Sequence, residues 1–392
     1  MNIDYTLDAG VMNLGGYQQR YRAELLERVI PFWLRHSLDR EHGGYFTCLT
    51  REGAVYDTRK YVWLQGRAAW MLAKLYNELE PRPEWLDAAR LILDFIRKHA
   101  RDREGRYYFS LARDGTPVFY QRKPYSAVFA MLGMLEYAKA TGEEASRNES
   151  IDLFWTIGRW IKDPALLGRP VLGSERLSAL ADIMVLASMA AEIARVAPDR
   201  RYREVLAWCI AASQAHYDPK RRIFLEYAGG DRALPETRLF CAGDSIEAAW
   251  FLLHALEFHT DDSARQMCLE VIEGSLEFGW DREFGGLYYF MDIDGLPPLP
   301  LESNMKLWWP HTEAIYATVL AYSLTREERW LNWLKRVDDY AFRHFSDPVH
   351  GEWFGYCDRQ GNVTSTAKGN NYKGCFHVPR MLWLSLQRLN AL

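Results

Sequence analysis

The chain has 392 residues, of which 48% are hydrophobic and 26% are charged, a balance that excludes disordered and fibrous proteins. Its formal net charge of −4 leaves no basic excess to neutralise phosphates, so we expect no nucleic-acid partner. The apolar runs are far shorter than the ~20 residues of a membrane-spanning helix, so we expect no membrane association.

The amino-terminal segment and the cysteines predict a cytoplasmic protein. No Lys or Arg precedes Arg20, and the apolar core of a secretory signal is missing. The six cysteines show neither a C-x-x-C pair nor a dense framework, so we interpret them as reduced thiols.

Short aromatic segments recur along the chain at intervals of about 60 residues, at 42–46, 105–109, 222–226, 285–289 and 351–355. Four of them are followed by a glycine-containing turn, at 51–53, 113–115, 292–295 and 358–361, which predicts hairpins. The spacing also predicts a degenerate copy near residue 167, where Leu167-Gly168-Arg169-Pro170 lacks the aromatic residues. We therefore predict six repeating units.

Apolar residues recur at helical spacing between these segments, in two stretches per unit. The first helix of each unit is predicted at 62–79, 127–140, 183–196, 245–258, 312–324 and 379–389. The second is predicted at 86–99, 152–161, 203–215, 263–277 and 330–345, and residues 17–37 form the twelfth helix. Several first helices are apolar nearly all round, as at 127–135, which indicates burial on every side.

These patterns predict an all-α fold. We expect one domain over residues 1–392, an (α/α)6 barrel of twelve helices with short β-hairpins on one face. The apolar first helices favour a closed inner ring over an open solenoid.

A closed ring brings the amino-terminal ends of its inner helices to one mouth, where polar residues at the hairpin–helix junctions converge. The junction residues are Lys60, Tyr61, Arg67, Lys123, Tyr125, Asp182, Asp244, Glu247, His311, Glu313, His377 and Arg380. His311 and His377 stand at the same position relative to their hairpins in consecutive units, which favours a shared site over scattered surface residues.

Each candidate also has a structural interpretation. Asp244 and Glu247 form a possible helix cap with a first-turn acid, and Glu313 would complement a helix dipole. Arg67 would then form an internal salt bridge, for example with Glu247. The other histidines lie outside the mouth and are predicted to be structural: His36, His99, His216, His254, His259, His344 and His350.

The sequence lacks the common nucleotide, nucleophile and metal motifs. It contains no G-x-S-x-G, no Walker A, no G-x-G-x-x-G, no H-E-x-x-H and no Cys/His cluster with metal spacing. A metal-free acid–base site is the leading prediction.

Five segments, at 61–67, 243–253, 306–314, 353–356 and 373–380, closely resemble the N-acylglucosamine 2-epimerase family. The resemblance spans nearly the full chain, and cellobiose 2-epimerases and sugar aldose–ketose isomerases differ more at these segments. It implies an (α/α)6 barrel, usually a homodimer, that interconverts N-acetylglucosamine and N-acetylmannosamine through proton removal and return at C2 of the ring-opened sugar. It implies no cofactor for the chemistry and, in some members, activation by ATP.

One position departs from the family pattern. The family has a histidine where this chain has Asp244, and the second family histidine matches His377. We expect His377 to be the principal base, Asp244 its candidate partner on the other face, and Glu247 to tune Asp244. Arg67 would stabilise the oxyanion, and Glu313 would open the ring or hold hydroxyls. The expected substrate-binding residues are Tyr61, Trp63, Tyr125, Trp308, Trp309, His311 and Arg380.

Three other functions stay open at this point. A single base that shifts a proton on one face gives an aldose–ketose isomerase acting on mannose, glucose or fructose-type sugars. Two carboxylates, such as Asp244 and Glu313, would serve an (α/α)6 glycoside hydrolase. Loss of the histidine would leave a non-catalytic sugar-binding protein.

Overall fold

The computed structural model describes residues 13–121, 123–168 and 177–392, and within these ranges the chain forms twelve helices. The inner six are α2 (Val62–Glu78), α4 (Tyr125–Thr141), α6 (Leu180–Val196), α8 (Ala242–Ala255), α10 (Trp308–Thr325) and α12 (His377–Asn390). The outer six are α1 (14–36), α3 (Pro83–His99), α5 (Glu144–Lys162), α7 (Arg200–Ser213), α9 (Asp262–Gly279) and α11 (Glu328–His344). A single π-helical stretch, Glu24–Val29, lies within α1.

The inner helices form a closed ring, which confirms the predicted (α/α)6 barrel. Consecutive inner helices contact one another from α2 through α12, and α12 contacts α2 again. Residues 126–138 of α4 are all buried, as expected for a helix that is enclosed on every side. The outer helices bury one face only. No helix in the described ranges is long and apolar enough to cross a lipid bilayer.

Fourteen strands of two or three residues lie on the side where the inner helices begin, counted over the described residues. They are β1 (Cys48–Leu49), β2 (Val55–Asp57), β3 (Lys60–Tyr61), β4 (Ser110–Leu111), β5 (Pro117–Phe119), β6 (Ser178–Ala179), β7 (Tyr217–Asp218), β8 (Ile223–Phe224), β9 (Tyr227–Ala228), β10 (Leu239–Cys241), β11 (Phe290–Asp292), β12 (Lys306–Leu307), β13 (Tyr356–Cys357) and β14 (Val363–Ser365).

The antiparallel strand pairs link neighbouring units. Hairpins form at β1–β2, β4–β5, β7–β8 and β13–β14, while β3–β4, β6–β9, β10–β11 and β12–β13 join strands from adjacent units. At the seam of the ring, the N–H of Lys368 donates to the carbonyl of Leu49 at 2.9 Å. This backbone bond therefore connects the last unit to the first.

One hairpin prediction differs from the structure. The predicted turn at 292–295 does not close a regular two-stranded hairpin: β11 pairs with β10 of the preceding unit, and the returning chain meets it only through the backbone bonds of Tyr289 with Met305 and Phe290 with Ser303. Near residue 167, Leu167 ends a short 3-10 helix (Pro164–Leu167), while Arg169 and Pro170 lie outside the described residues.

Three histidines predicted to be structural pack under the glycines of the hairpin turns. Each glycine has a positive φ, and a Cβ placed on it would lie 2.2 to 2.6 Å from the imidazole. The pairs are Gly53 with His36, Gly115 with His99, and Gly361 with His344. Each imidazole ends an outer helix, so this contact fixes the hairpin against its own unit.

A buried ion pair repeats around the ring. It joins a lysine to the aspartate at the start of a hairpin segment, in Lys60–Asp39 (2.9 Å), Lys306–Asp281 (3.0 Å) and Lys368–Asp347 (2.8 Å). An arginine from the next unit also pairs with each aspartate: Arg113, Arg359 and Arg51 respectively. Because Arg51 belongs to the first unit and Asp347 to the sixth, this last pair spans the seam of the ring.

We expect Asp347→Asn to weaken the seam. Burial would raise the pKa of Asp347, but hydrogen bonds from Arg51 and Lys368 hold it below its ordinary value. The asparagine would leave Lys368 as a buried charge without its counterion, which costs about 3–5 kcal/mol. Denaturant unfolding measures the loss. The control is Asp87→Asn, which removes an exposed pair with Arg90 and should cost under about 1 kcal/mol. Equal losses in the two variants would contradict this account.

Candidate active site

The amino-terminal ends of four inner helices bring the predicted catalytic residues together. His377 begins α12, Asp244 and Glu247 lie in the first turns of α8, Glu313 lies near the start of α10, and Arg67 projects from α2. These five residues come from four different units of the chain. Their proximity is therefore a product of ring closure.

His377 is oriented by a carboxylate. Its Nδ1 lies 2.7 Å from Oε1 of Glu313, so Nδ1 carries the proton and donates it. Oε2 of Glu313 accepts a hydrogen bond from the indole N–H of Trp250 at 3.0 Å. With Nδ1 engaged as a donor, Nε2 carries the lone pair, which faces the donor Nη1 of Arg67, and is the atom that can accept a proton.

The environment keeps His377 neutral. Burial lowers its pKa well below the ordinary value, and the positive charges of Arg67 and Arg380 lower it further. The imidazole is therefore unprotonated at neutral pH, in the form that a general base requires.

Arg67 places a positive charge beside the free nitrogen of His377. Its Nη1 lies 3.4 Å from Nε2 of the imidazole, and its guanidinium stacks on Trp63, Phe129 and Phe376 at 4.2 to 4.5 Å. Burial lowers the pKa of Arg67 to about 9, and Nε has no hydrogen-bond partner in the described part of the chain. A cation in this position suits an anion that forms next to Nε2.

Arg380 joins the two glutamates. It bonds to Oε1 of Glu247 and lies 2.8 Å from Oε1 of Glu313. Glu247 is thus paired with Arg380, and the alternative salt bridge from Arg67 to Glu247 does not form. Since its guanidinium is engaged by these carboxylates, Arg380 acts on the site through them, and we do not place it against the sugar as the sequence predicted.

A metal ion fits this cluster poorly. Ligand atoms of Glu247, Glu313 and His377 lie within 4.8 Å of one another, the spacing of a metal site. Arg380, however, bonds both carboxylates and already supplies the compensating positive charge. The carboxylates of Glu247 and Glu313 therefore already have their positive partner and form an ion-pair network with Arg380.

Asp244 lies in the first turn of α8, three residues before Glu247. The N-cap of α8 is Cys241, so the helix-cap interpretation of Asp244 is wrong: its carboxyl is free for other contacts. Burial and the negative charge of Glu247 together raise the pKa of Asp244 to about 7. Asp244 also hydrogen-bonds Glu226, a residue that sequence reasoning missed.

Aromatic rings wall the site. The rings of Trp308 and Trp309 lie 6.2 and 5.8 Å from the His377 imidazole. Gly243 permits this position of Trp309, because a Cβ on Gly243 would lie 2.3 Å from the indole. Tyr125 is close to Asp244. Burial raises the pKa of the Tyr125 hydroxyl, and the charge of Asp244 adds to this effect.

Two predicted substrate-binding residues lie elsewhere. His311 is fully buried: its Nδ1 donates to the carbonyl of Leu307 at 2.6 Å, and its Nε2 accepts from the N–H of Leu287 at 2.9 Å. Neither nitrogen is left for a sugar, so His311 is not part of the proposed site. Tyr61 packs on Phe109 at 5.6 Å and lines a separate pocket near the hairpin tips.

Sequence reasoning missed four residues of the site: Glu226, Trp250, Phe129 and Phe376. The sequence does single out Glu226. It is the last residue of the repeated segment 222–226, whereas two of the other repeated segments end in phenylalanine and one ends in tyrosine. An acidic residue in an aromatic column indicates a local function. Trp250 and Phe129 lie on apolar helices and Phe376 directly precedes α12, and only the fold reveals the contacts of these three residues.

Comparison with known proteins agrees with this architecture. The sequence profile of the family described as N-acylglucosamine 2-epimerase (GlcNAc 2-epimerase) matches residues 44–378. N-acylglucosamine 2-epimerase of Mus musculus is 42% identical over 391 residues, covering 96% of this chain and 92% of that protein. The Homo sapiens N-acylglucosamine 2-epimerase is 38% identical, covering 97% and 91%.

A solved structure shows the same fold. Cellobiose 2-epimerase from Spirochaeta thermophila superposes with a TM-score of 0.82 at 22% identity, covering 96% of this chain and 98% of that chain. The fold, the sequence profile and the full-length relatives agree, and the chain belongs to the N-acylglucosamine 2-epimerase family.

Proposed function

We propose that this protein is a cofactor-independent sugar 2-epimerase, with N-acetylglucosamine and N-acetylmannosamine, or a closely related pair of sugars, as substrate and product. The observation that carries the proposal is the arrangement at His377: a neutral imidazole, held by Glu313, whose free Nε2 adjoins a buried cation. Full-length relatives at about 40% identity support the choice of sugar.

The first step removes the proton at C2 of the open-chain sugar. His377 Nε2 takes the proton, and the electrons of the C2–H bond move into the C1–C2 bond while O1 becomes negative. Arg67 stabilises this oxyanion. Glu313 stabilises the imidazolium that forms, since it already accepts the Nδ1 proton.

The second step returns a proton to the opposite face of C2. Asp244 donates it, the C1–C2 double bond moves its electrons into the new C2–H bond, and the carbonyl at C1 forms again. A carboxyl group whose pKa is about 7 has both its forms populated at neutral pH, so it can donate or accept. Glu247 supports this role through its negative charge.

The aspartate in place of the family histidine favours one second candidate, an aldose–ketose isomerase in which His377 alone moves a proton between C2 and C1. A glycoside hydrolase is a weaker candidate. It would need Glu313 as an independent acid or nucleophile, and Glu313 is engaged by His377, Arg380 and Trp250.

The assembly, localisation and regulation of the enzyme are also part of the proposal. We expect a cytoplasmic homodimer, in keeping with six buried free cysteines, and light scattering measures the mass of the assembly. Activation by ATP is expected from the family resemblance. Initial rates with and without ATP test it, and equal rates would remove ATP from the proposal.

The function is tested by proton NMR in D₂O with N-acetylmannosamine, mannose, glucose, fructose and cellobiose. We expect deuterium at C2 and growth of the 2-epimer with N-acetylmannosamine, with rates unchanged by EDTA. Ketose without epimer would favour the isomerase. No exchange with any of the five sugars would contradict both the epimerase and the isomerase, since hydrolases and binding proteins do not exchange the C2 proton.

A further inference from the structure

Asp244 is half of a pair of acidic side chains. Glu226 and Asp244 share a hydrogen bond, and each places a carboxylate oxygen within 4.8 Å of the other and of the Cys241 sulfur. The other oxygen of Glu226, Oε1, is buried without a hydrogen-bond partner in the parts of the chain that the structure describes. A buried acceptor of this kind needs a proton or a donor from a ligand.

The backbone holds the two residues in this position. Glu226 lies between β8 and β9, and its N–H donates to the carbonyl of Leu239 in β10 at 3.0 Å. Its own carbonyl accepts from the N–H of Leu180, the first residue of α6, at 2.9 Å. Because β10 leads directly into α8, anchoring Glu226 to β10 also anchors it beside Asp244.

Two carboxyl groups in hydrogen-bond contact cannot both ionise easily, and a hydrogen bond between them needs a proton. Burial raises the pKa of Glu226 well above its ordinary value, and the charge of Asp244 raises it further. Burial also raises the pKa of Asp244, to about 7. At neutral pH the pair therefore keeps one proton, with Glu226 donating it to Asp244.

The neighbouring groups reinforce this state. The titratable groups around the pair, counting those that interact with Asp244 and with its neighbour Tyr125, are Glu247, Glu313, Cys241, Tyr125, Tyr289, Asp182 and Tyr227. The acidic members disfavour full ionisation. The arginines of the site, Arg67 and Arg380, are engaged with His377 and with Glu247 and Glu313.

We propose that Glu226 and Asp244 form a one-proton carboxyl pair that takes the place of the histidine found at position 244 in other family members. This inference rests on the proposed epimerase function and extends it. Glu226 is a positioning residue that stores the proton, and Asp244 is the group that exchanges it with C2.

The proton balance follows from this assignment. As His377 gains the C2 proton, the O–H bond of Glu226 breaks and its proton passes to Asp244, and Asp244 delivers the proton to the opposite face of C2 as the new C2–H bond forms. The pair then carries two negative charges, and the His377 imidazolium carries one positive charge. Exchange with solvent returns both to their starting forms, and the reverse reaction uses the same groups in opposite roles.

Glu226→Gln tests the pair directly. Glutamine keeps the shape and a donor for Asp244 but cannot hold a transferable proton. We expect kcat for epimerisation to fall at least tenfold, with KM within about threefold, and the alkaline limb of the pH profile to move at least about one unit lower. Proton removal by His377, followed as C2 exchange without epimer, should persist. Glu204→Gln, on the exposed face of α7, is the matched control.

Infrared titration without substrate gives an independent measurement. We expect a protonated carboxyl band at neutral pH in the wild type that is lost in Glu226→Gln and kept in Glu204→Gln. It should also be kept in Asp244→Asn, because burial alone still holds the proton on Glu226. If the band or the pH profile is unchanged in Glu226→Gln while the wild type epimerises, the pair is wrong and the epimerase stands. If the band behaves as expected but the wild type exchanges no C2 proton, the epimerase function and the catalytic role of the pair both fail.

Discussion

His377→Ala should abolish proton exchange at C2 of the sugar while leaving the fold intact. Among the described residues, the imidazole of His377 supplies the only nitrogen lone pair beside Arg67 in the site, and the variant removes it. Loss of a positioned general base costs about 10²–10⁴ in rate. The fold should survive because Glu313 keeps its contacts with Arg380 and Trp250. NMR exchange in D₂O measures the rate, and circular dichroism follows the fold.

The matched control for this variant is His259→Ala, since His259 is exposed and far from the mouth of the barrel. It should exchange the C2 proton at the wild-type rate. Exchange by His377→Ala within a few-fold of wild type would remove His377 from the mechanism and, with it, the main support for the proposed function.

Asp244→Asn should separate the two halves of the reaction. Asparagine keeps the size of the side chain but cannot transfer a proton, so we expect epimerisation to fall by about 10² or more. His377 would still remove and return the proton on its own face, so C2 exchange with retention and any isomerisation should continue. Epimer formation and C2 deuteration, followed in the same NMR sample, give the two rates.

The reciprocal variant, Asp244→His, restores the residue of the family. It should raise N-acetylmannosamine epimerisation if the rest of the pocket accepts the acetamido group. If Asp244→Asn epimerises at the wild-type rate, Asp244 has no part in proton transfer. His311 could not replace it as the partner of His377, because both its ring nitrogens are bonded to the backbone.

Much of the architecture could be predicted because it depends on local pattern. All twelve helices were expected from apolar periodicity, and closure followed from inner helices that are apolar on every side. Helix starts were placed late: α8, α10 and α12 begin at 242, 308 and 377, against predictions of 245, 312 and 379. Polar first turns carry little apolar signal, and these are the turns that hold the site.

The contrast between His311 and His377 shows that an equal position in the repeat does not predict an equal role in the site. Both stand at the same distance from their hairpins, yet α12 begins at His377 whereas α10 begins three residues before His311, at Trp308. His311 therefore lies inside the first turn of α10, where its Nδ1 reaches the carbonyl of Leu307 four residues earlier, whereas His377 is the first residue of its helix. His377 consequently meets the mouth of the site, and His311 meets the backbone of its own hairpin.

By itself, the sequence determined the six-unit barrel, the mouth where its polar residues meet, and the family, because these follow from periodicity and from motifs that are contiguous in the chain. Only the tertiary structure decided which charges pair. Arg380 with Glu247, His377 with Glu313, and Asp244 with Glu226 join residues 133, 64 and 18 positions apart. The chemistry of each group depends on its partner and its burial, and both are set when the ring closes.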